Sequence, residues 1–229
     1  MKAIILAAGL GSRFKEITKK THKALLPIND IPNLERTIQF LHEAGIKDIY
    51  IVTGHLRESF EYLIEKYNVS LVYNDKYKEY NSIYSMNQVL NFLGNSFVID
   101  SDVVLLKNLF LEKPNQSTYY TVLRDKSSNK EWIPILNNNK VQNIIVSDEY
   151  RPSLLGISFW SLDDAKIIQN EYIKFLEEKI LYNSSLYWDN IPMSIIDKLD
   201  VTTIEIEKNI AFEMDNLIDY KKILEKLDK

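Results

Sequence analysis

The chain has 229 residues, with 28 Lys and Arg against 32 Asp and Glu for a net charge of −4, and no cysteine. The length suits one large domain, and the missing thiols exclude disulfide scaffolds, thiolate zinc sites and cysteine nucleophiles. Hydrophobic residues at 45% and charged ones at 26% are the mixture of a folded soluble protein, and the mild acidity argues against nucleic-acid binding, which draws on a basic surplus.

The longest apolar run, Ala3 to Leu10, is far short of the ~18 residues a membrane-spanning helix needs. It leads into Gly-Ser-Arg rather than a small-residue cleavage site, so a cytoplasmic protein without membrane insertion is expected.

In chain order, Lys2–Leu6 reads as a strand buried on both faces. Pro32–Ala44 spaces Leu34, Ile38 and Leu41 as a helix and ends at Gly45, a natural C-terminal cap. Asp48–Thr53 is a strand, and Arg57–Tyr67 a helix with Phe60, Leu63, Ile64 and Tyr67 inward. Val69–Tyr73 is a third strand, Ser82–Leu93 a third helix, and Ser96–Ile99 a fourth strand ending in Asp100-Ser101-Asp102. This alternation with short connections predicts a mostly parallel sheet covered by helices.

After about residue 115 the pattern changes. Ser117–Arg124, Glu131–Leu136, Lys140–Val146 and Leu154–Trp160 read as strands, with Asn137-Asn138-Asn139 as a hairpin turn. Leu162–Lys179 and Ser185–Lys198 read as helices and Val201–Glu205 as a strand. A final helix near Asn216–Leu227 would bury Leu217, Tyr220, Ile223, Leu224 and Leu227. No repeat or long linker divides the chain, so one α/β domain over 1–229 with a mixed β-rich lobe in its second half is expected.

The first strand runs into Leu6-Ala7-Ala8-Gly9-Leu10-Gly11-Ser12-Arg13, and Lys23 follows ten residues later. Ala7, Ala8, Gly9 and Gly11 are nearly free of side chains at the carboxyl end of a strand, where backbone N–H groups approach an anion closely. Open α/β sheets bind ligands at that edge. Arg13 and Lys23 add two positive charges over the same anion, suited to a triphosphate. The spacing is neither GxGxxG nor GxxxxGK[ST]. A bare Gly-x-Gly is more often just a tight turn; the following Ser-Arg and the downstream Lys-Ala-Leu make this one more specific.

LAAGLGSR (6–13) with HKALLP (22–27) resembles the signature of the nucleoside-triphosphate-dependent nucleotidyltransferases, and the similarity extends over essentially the whole chain. Within them the chain looks like the bacterial CTP:phosphocholine cytidylyltransferases of the LicC type. That narrower likeness is carried by YNDKYKEYNSIYSM (73–86), VIDSDVVLLKNLF (98–110), KEW (130–132), GISFW (156–160), LYWDN (186–190) and FEMDNLIDY (212–220). The family usually has Pro where His22 stands and often Arg-Pro where Lys15-Glu16 stand; neither change removes a charge invoked here.

The resemblance implies a Rossmann-like fold in which residues 1–115 bind nucleotide, while residues 116–229 bind the acceptor and carry the C-terminal helices. It implies Leu6, Ala7, Ala8, Gly9, Gly11 and Ser12 around the nucleotide, Arg13 and Lys23 as the catalytic cations, and Mg²⁺ on Asp102 and Asp215. Hard cations favour such oxygen ligands. From the residues alone Asp100 is an alternative ligand, and Asp215 reads as a cap of the last helix before it reads as a metal ligand; the resemblance reverses that order. Asn81 and Ser82 are good helix N-caps by type; the resemblance sets them near the nucleotide base.

A trimethylammonium group donates no hydrogen bond, so aromatic faces and a carboxylate must recognise it. Trp132 beside Glu131, and Tyr187-Trp188 beside Asp189, are the candidates that the resemblance favours as acceptor-binding residues; composition alone favours core positions for Tyr187 and Trp160. The reaction implied is transfer of CMP from CTP to phosphocholine. Phosphoethanolamine, 2-aminoethylphosphonate or a sugar 1-phosphate are the alternative acceptors, and a nucleotide-sensing module is the non-enzymatic alternative. His22, His42 and His55 have no metal-ligand spacing and read as surface or cap residues, with His22 also near enough to Lys23 to touch phosphate.

Overall fold

The computed structural model describes residues 1–14, 16–126 and 129–227; Lys15, one of the departures noted above, lies outside them. The strands are β1 (Lys2–Ala7), β2 (Pro27–Ile28), β3 (Ile31–Pro32), β4 (Asp48–Thr53), β5 (Ser70–Tyr73), β6 (Ser96–Asp100), β7 (Val103–Leu105), β8 (Ser117–Val122), β9 (Glu131–Asn137), β10 (Lys140–Ser147), β11 (Ser153–Trp160), β12 (Val201–Ile206) and β13 (Ala211–Glu213). The helices are α1 (Asn33–Glu43), α2 (Tyr62–Tyr67), α3 (Ser82–Asn87), α4 (Leu162–Tyr172), α5 (Glu178–Leu181), α6 (Asn190–Ser194) and α7 (Leu217–Leu227).

Seven strands form one sheet in the order β12-β8-β11-β6-β1-β4-β5. Only β11 runs against the others, antiparallel to both β6 and β8. The sheet is therefore mostly parallel, as the alternation predicted. Along β1 and just past its end, Ala3, Ile5 and Ala7 pack into one core cluster and Ile4, Leu6 and Ala8 into a second. A strand sealed on both faces has no polar side to show, which is why its sequence is a continuous apolar run. Each fully buried isoleucine there contributes about 1.5–3 kcal/mol.

Chain order and spatial order diverge at β1. The chain moves outward through β4 and β5, then returns to place β6 on the other side of β1. Crevices at such switch points, outside the carboxyl ends of the strands, hold ligands. Here the two ends carry the glycine turn and Asp100-Ser101-Asp102, with Leu6 level with Asp100 and Ser101 N–H donating to the Leu6 carbonyl at 3.2 Å.

Several long helices predicted from periodicity are broken. Arg57–Tyr67 splits into a 3₁₀ turn (Arg57–Phe60) and α2; Phe60 and Leu63 are buried, but Ile64 is 46% exposed. Ser82–Leu93 is α3 followed by a 3₁₀ turn at Leu90–Phe92. Leu162–Lys179 is α4, a 3₁₀ turn at Ile173–Phe175, and α5. The anchor is Tyr172, whose hydroxyl donates to the Ile83 carbonyl at 2.6 Å, while the extended backbone of Glu177 separates the 3₁₀ turn from α5. Ser185–Lys198 contains only α6 and a 3₁₀ turn. Tertiary anchoring outweighs helix propensity, which is a weak preference per residue. The small pairs β2–β3 and β7–β13 carry too few residues to show a period and were not foreseen. Among the described residues no helix is long and apolar enough to cross a membrane.

Candidate active site

The turn after β1 needs its two glycines for different reasons. Gly11 has φ +60°, and a Cβ there would meet Thr18 Cγ2 at 2.9 Å. Around Gly9 nothing lies within 4 Å of the missing Cβ, so its backbone faces open space. Ser12–Phe14 form a 3₁₀ turn in which Phe14 is buried and Arg13 projects outward.

His22 braces this turn from beneath. Its Nδ1 accepts from Ala24 N–H at 3.1 Å, so its proton is on Nε2, which donates to the Gly9 carbonyl at 3.0 Å. The ring is a cap, as its type suggested, but it is buried rather than on the surface. Burial, with Lys23 and His55 adding to it against the pull of the Gly9 carbonyl, lowers its pKa from 6.5 to about 4. The folded state thus resists a proton that the unfolded chain accepts. This stability is complete above pH 6.5 and is lost as pH falls towards 4, by up to about 3 kcal/mol. Replacing His22 by Gln should flatten the fall in unfolding free energy between pH 6.5 and 4 by about one proton; parallel profiles would remove the histidine as its source.

Four charged side chains meet above the turn. Lys23 Nζ lies 2.5 Å from Asp102 Oδ2, with 16% and 20% of the two side chains exposed. Burial alone would lower the lysine pKa, but the Asp102 charge and hydrogen bond, with Asp215 and Asp100 behind them, raise it overall. Arg13 Nη1 lies 2.8 Å from Asp215 Oδ1 in a more open pair. Asp215 is brought here by β13, which pairs with β7 so that Met214 N–H donates to the Asp102 carbonyl at 2.9 Å. The cap of α7 is Asn216, whose Oδ1 accepts from Ile218 and Asp219 N–H, so the capping alternative for Asp215 is overturned. Extended geometry stops at Asp100, and Asp100 and Asp102 diverge: Asp102 meets Lys23, whereas the Asp100 carboxylate comes up against Gly156.

A cavity of about 380 Å³ opens beside these pairs. Trp132, Tyr187, Trp188 and Asp189 all line it, together with Arg13, Asp102 and Asp215. Trp132 and Tyr187 form an edge-to-face corner, ring centroids 5.9 Å apart at 75°. Tyr187 is 47% exposed, unlike the core position its composition suggested, while Trp160 is fully buried. Trp188 is only 2% exposed and packs on Trp160 at 6.0 Å, so it backs the wall more than it faces the space.

Sequence reasoning missed Arg124 and Glu213 in that lining. Arg124 bonds Glu213, Ser153 Oγ and the Leu154 carbonyl. The available signal was the FEMDN run, which carries Glu213 two residues before Asp215. Burial pushes the Asp189 carboxyl up to about 7. Burial, opposed by Arg124 and assisted by Asp102 and Asp215, does the same to Glu213. Asp100 is raised as well, by burial first and then by the charges of Asp102, Asp189 and Glu213, with Lys23 opposing. Six carboxylates against three basic side chains line this space, so it is starved of positive charge.

Asn81 and Ser82 cap α3 and tie it to the wall. Asn81 Oδ1 accepts from Ile83 N–H, its Nδ2 donates to the Ile180 and Asn183 carbonyls, and Ser82 Oγ accepts from Trp188 N–H at 3.0 Å. The Asn81 amide is spent on these bonds. No three His, Asp or Glu side chains form a metal cage among the described residues.

Residues 3–145 match the family model for the MobA-like NTP transferase domain. The chain is 54% identical over 228 residues to the choline-phosphate cytidylyltransferase of Haemophilus influenzae, covering 99% of this chain and 97% of that protein. It is 31% identical to the 2-aminoethylphosphonate cytidylyltransferase of Lancefieldella rimae, over 95% and 89% of the two chains. The solved CTP:phosphocholine cytidylyltransferase of Streptococcus pneumoniae superimposes with a TM-score of 0.93 at 44% identity, covering 99% of this chain and 98% of that one. The family model covers more than half of the chain and these relatives match it along nearly its full length: the chain belongs to the MobA-like NTP transferase family and is a nucleotidyltransferase.

Proposed function

We propose that the protein transfers CMP from CTP to phosphocholine, releasing pyrophosphate and forming CDP-choline, as a cytoplasmic enzyme whose single domain binds nucleotide through residues 1–115 and acceptor through residues 116–229. The observation that carries this reading is the cavity itself: an aromatic corner of Trp132 and Tyr187 facing a surplus of carboxyl groups. Aromatic faces with acidic neighbours suit a quaternary ammonium, each cation–π contact being worth about 0.5–2 kcal/mol. The names of the relatives agree with it.

The glycine turn would cradle the triphosphate through backbone N–H groups, with Arg13 and Lys23 leaving their aspartates for phosphate oxygens. Asp102 and Asp215 fit Mg²⁺: both carboxylates line one cavity, no cage of three metal-binding side chains forms among the described residues, and magnesium in such sites takes one or two carboxylates with substrate phosphates. Bound there, the ion would neutralise phosphate charge. The acceptor phosphate, with a second pKa of ~6, is already ionised at neutral pH and needs no general base. Its oxygen attacks the α-phosphorus in line with the departing pyrophosphate. The protein's task is to hold two anions together, by position and by charge.

A second reading, a primary ammonium acceptor such as phosphoethanolamine or 2-aminoethylphosphonate, is favoured by the carboxyls themselves, which could accept its N–H bonds. Pyrophosphate release from CTP with phosphocholine, phosphoethanolamine and glucose 1-phosphate decides among the readings. Phosphocholine should give the highest kcat/KM; preference for phosphoethanolamine selects the second reading. CTP binding without turnover on any acceptor would make the protein a nucleotide sensor.

A further inference from the structure

The register of β11 against β8 slips between Leu154 and Ser158: four residue steps on β11 oppose two on β8, from Thr121 back to Tyr119. Gly156 sits in this bulge with φ +67° and lines the cavity. A Cβ on Gly156 would lie 3.0 Å from Asp100 Oδ2, 3.2 Å from Asp100 Cβ and 3.1 Å from Val103 Cγ2. Bulges re-aim strands beside active sites and are costly enough to need a reason. Here the bulge puts the residue that lacks a side chain over a carboxylate. The Asp100 carboxyl group takes no hydrogen bond and no ion pair from any described residue and feels Lys23 only as a more distant charge, whereas Asp102 and Asp215 each have a cation.

We propose that Asp100 is a specificity-determining residue that reads the cationic head of the acceptor, and that Gly156 is its positioning residue, keeping that carboxylate open to the cavity. This rests on the acceptor being a phosphorylated amine. A carboxylate used in this way stabilises charge in the bound acceptor and is indifferent to CTP, so its loss belongs in the acceptor KM. A neutral acceptor of the same shape would not feel it.

The test compares phosphocholine with 3,3-dimethylbutyl phosphate, its uncharged carbon isostere, in the wild type, Asp100→Asn and Gly156→Ala. Wild-type enzyme should prefer phosphocholine, and Asp100→Asn should shrink the kcat/KM ratio by about tenfold or more, mainly through the phosphocholine KM. KM for CTP and Mn²⁺ affinity measured with CTP bound should hold. Gly156→Ala should move the ratio the same way. Gly156→Asn, more tolerant of positive φ, serves if the alanine variant does not fold. An unchanged ratio in Asp100→Asn overturns the assignment, as does a ratio held while Mn²⁺ affinity falls, which would make Asp100 a metal ligand. Failure of the wild type to use phosphocholine would sink the parent reading instead. Tetramethylammonium titrated against tryptophan fluorescence then still judges Asp100: binding by the wild type that Asp100→Asn loses supports it, and no wild-type binding refutes it.

Discussion

Lys23→Ala is expected to lower turnover by at least about 10²–10³-fold, the usual loss when one preorganised charge at a developing anion is removed. Asp102 holds the ammonium protonated against its burial, so the cation is present throughout the physiological range. Arginine is a poor substitute, because its planar fork cannot occupy the space of a compact ammonium 2.5 Å from one carboxylate oxygen. The variant should still fold cooperatively. Asp102 loses its partner at a site that is mostly but not fully buried, so a stability loss of about 1–3 kcal/mol is expected, or a few degrees in unfolding temperature. Pyrophosphate release at saturating CTP and Mg²⁺ measures the first effect and calorimetry the second. Turnover near that of the wild type would exclude Lys23 from the chemistry, whatever its effect on stability.

Asp215→Asn should show the opposite balance. Turnover should fall by at least about 10²-fold, and Mn²⁺ followed by electron paramagnetic resonance in the presence of CTP should bind more weakly. Stability should change by no more than about 1 kcal/mol, since the Arg13–Asp215 pair is open to solvent and Asn216 performs the capping. A residue serving only the helix would behave in reverse, costing about 1 kcal/mol of stability and no activity. That reversed pattern, or intact metal binding, would remove Asp215 from the metal site. The two variants together separate the loss of a buried cation that also supports the fold from the loss of a more exposed carboxylate that does not.

Both aspartates illustrate what is visible in a linear chain. Asp102 was legible because β6 reads as a strand and the residues after it must emerge at the carboxyl edge of the sheet. Asp215 could be given its role only through the resemblance, because β13 is three residues long and its pairing with β7 spans more than a hundred positions. Periodicity reports local geometry and is silent on such contacts. Glu213 and Arg124 were missed for the same reason: an acid and a base 89 positions apart have no common pattern until the sheet sets them side by side.

By itself the sequence determined the buried central strand, the exits of β1 and β6, the glycine turn with its two cations, and the Asn138–Asn139 hairpin turn, which adopts positive φ at both residues. Each is set by interactions within a few residues or by burial on both faces, and these are written in residue type. Only the tertiary structure decided where the long helices break, that Asp100 turns away from Asp102, and that the bulge leaves Gly156 over its carboxylate. Those outcomes follow from packing between distant segments, where the best compromise of the whole core overrides the preference of any one stretch.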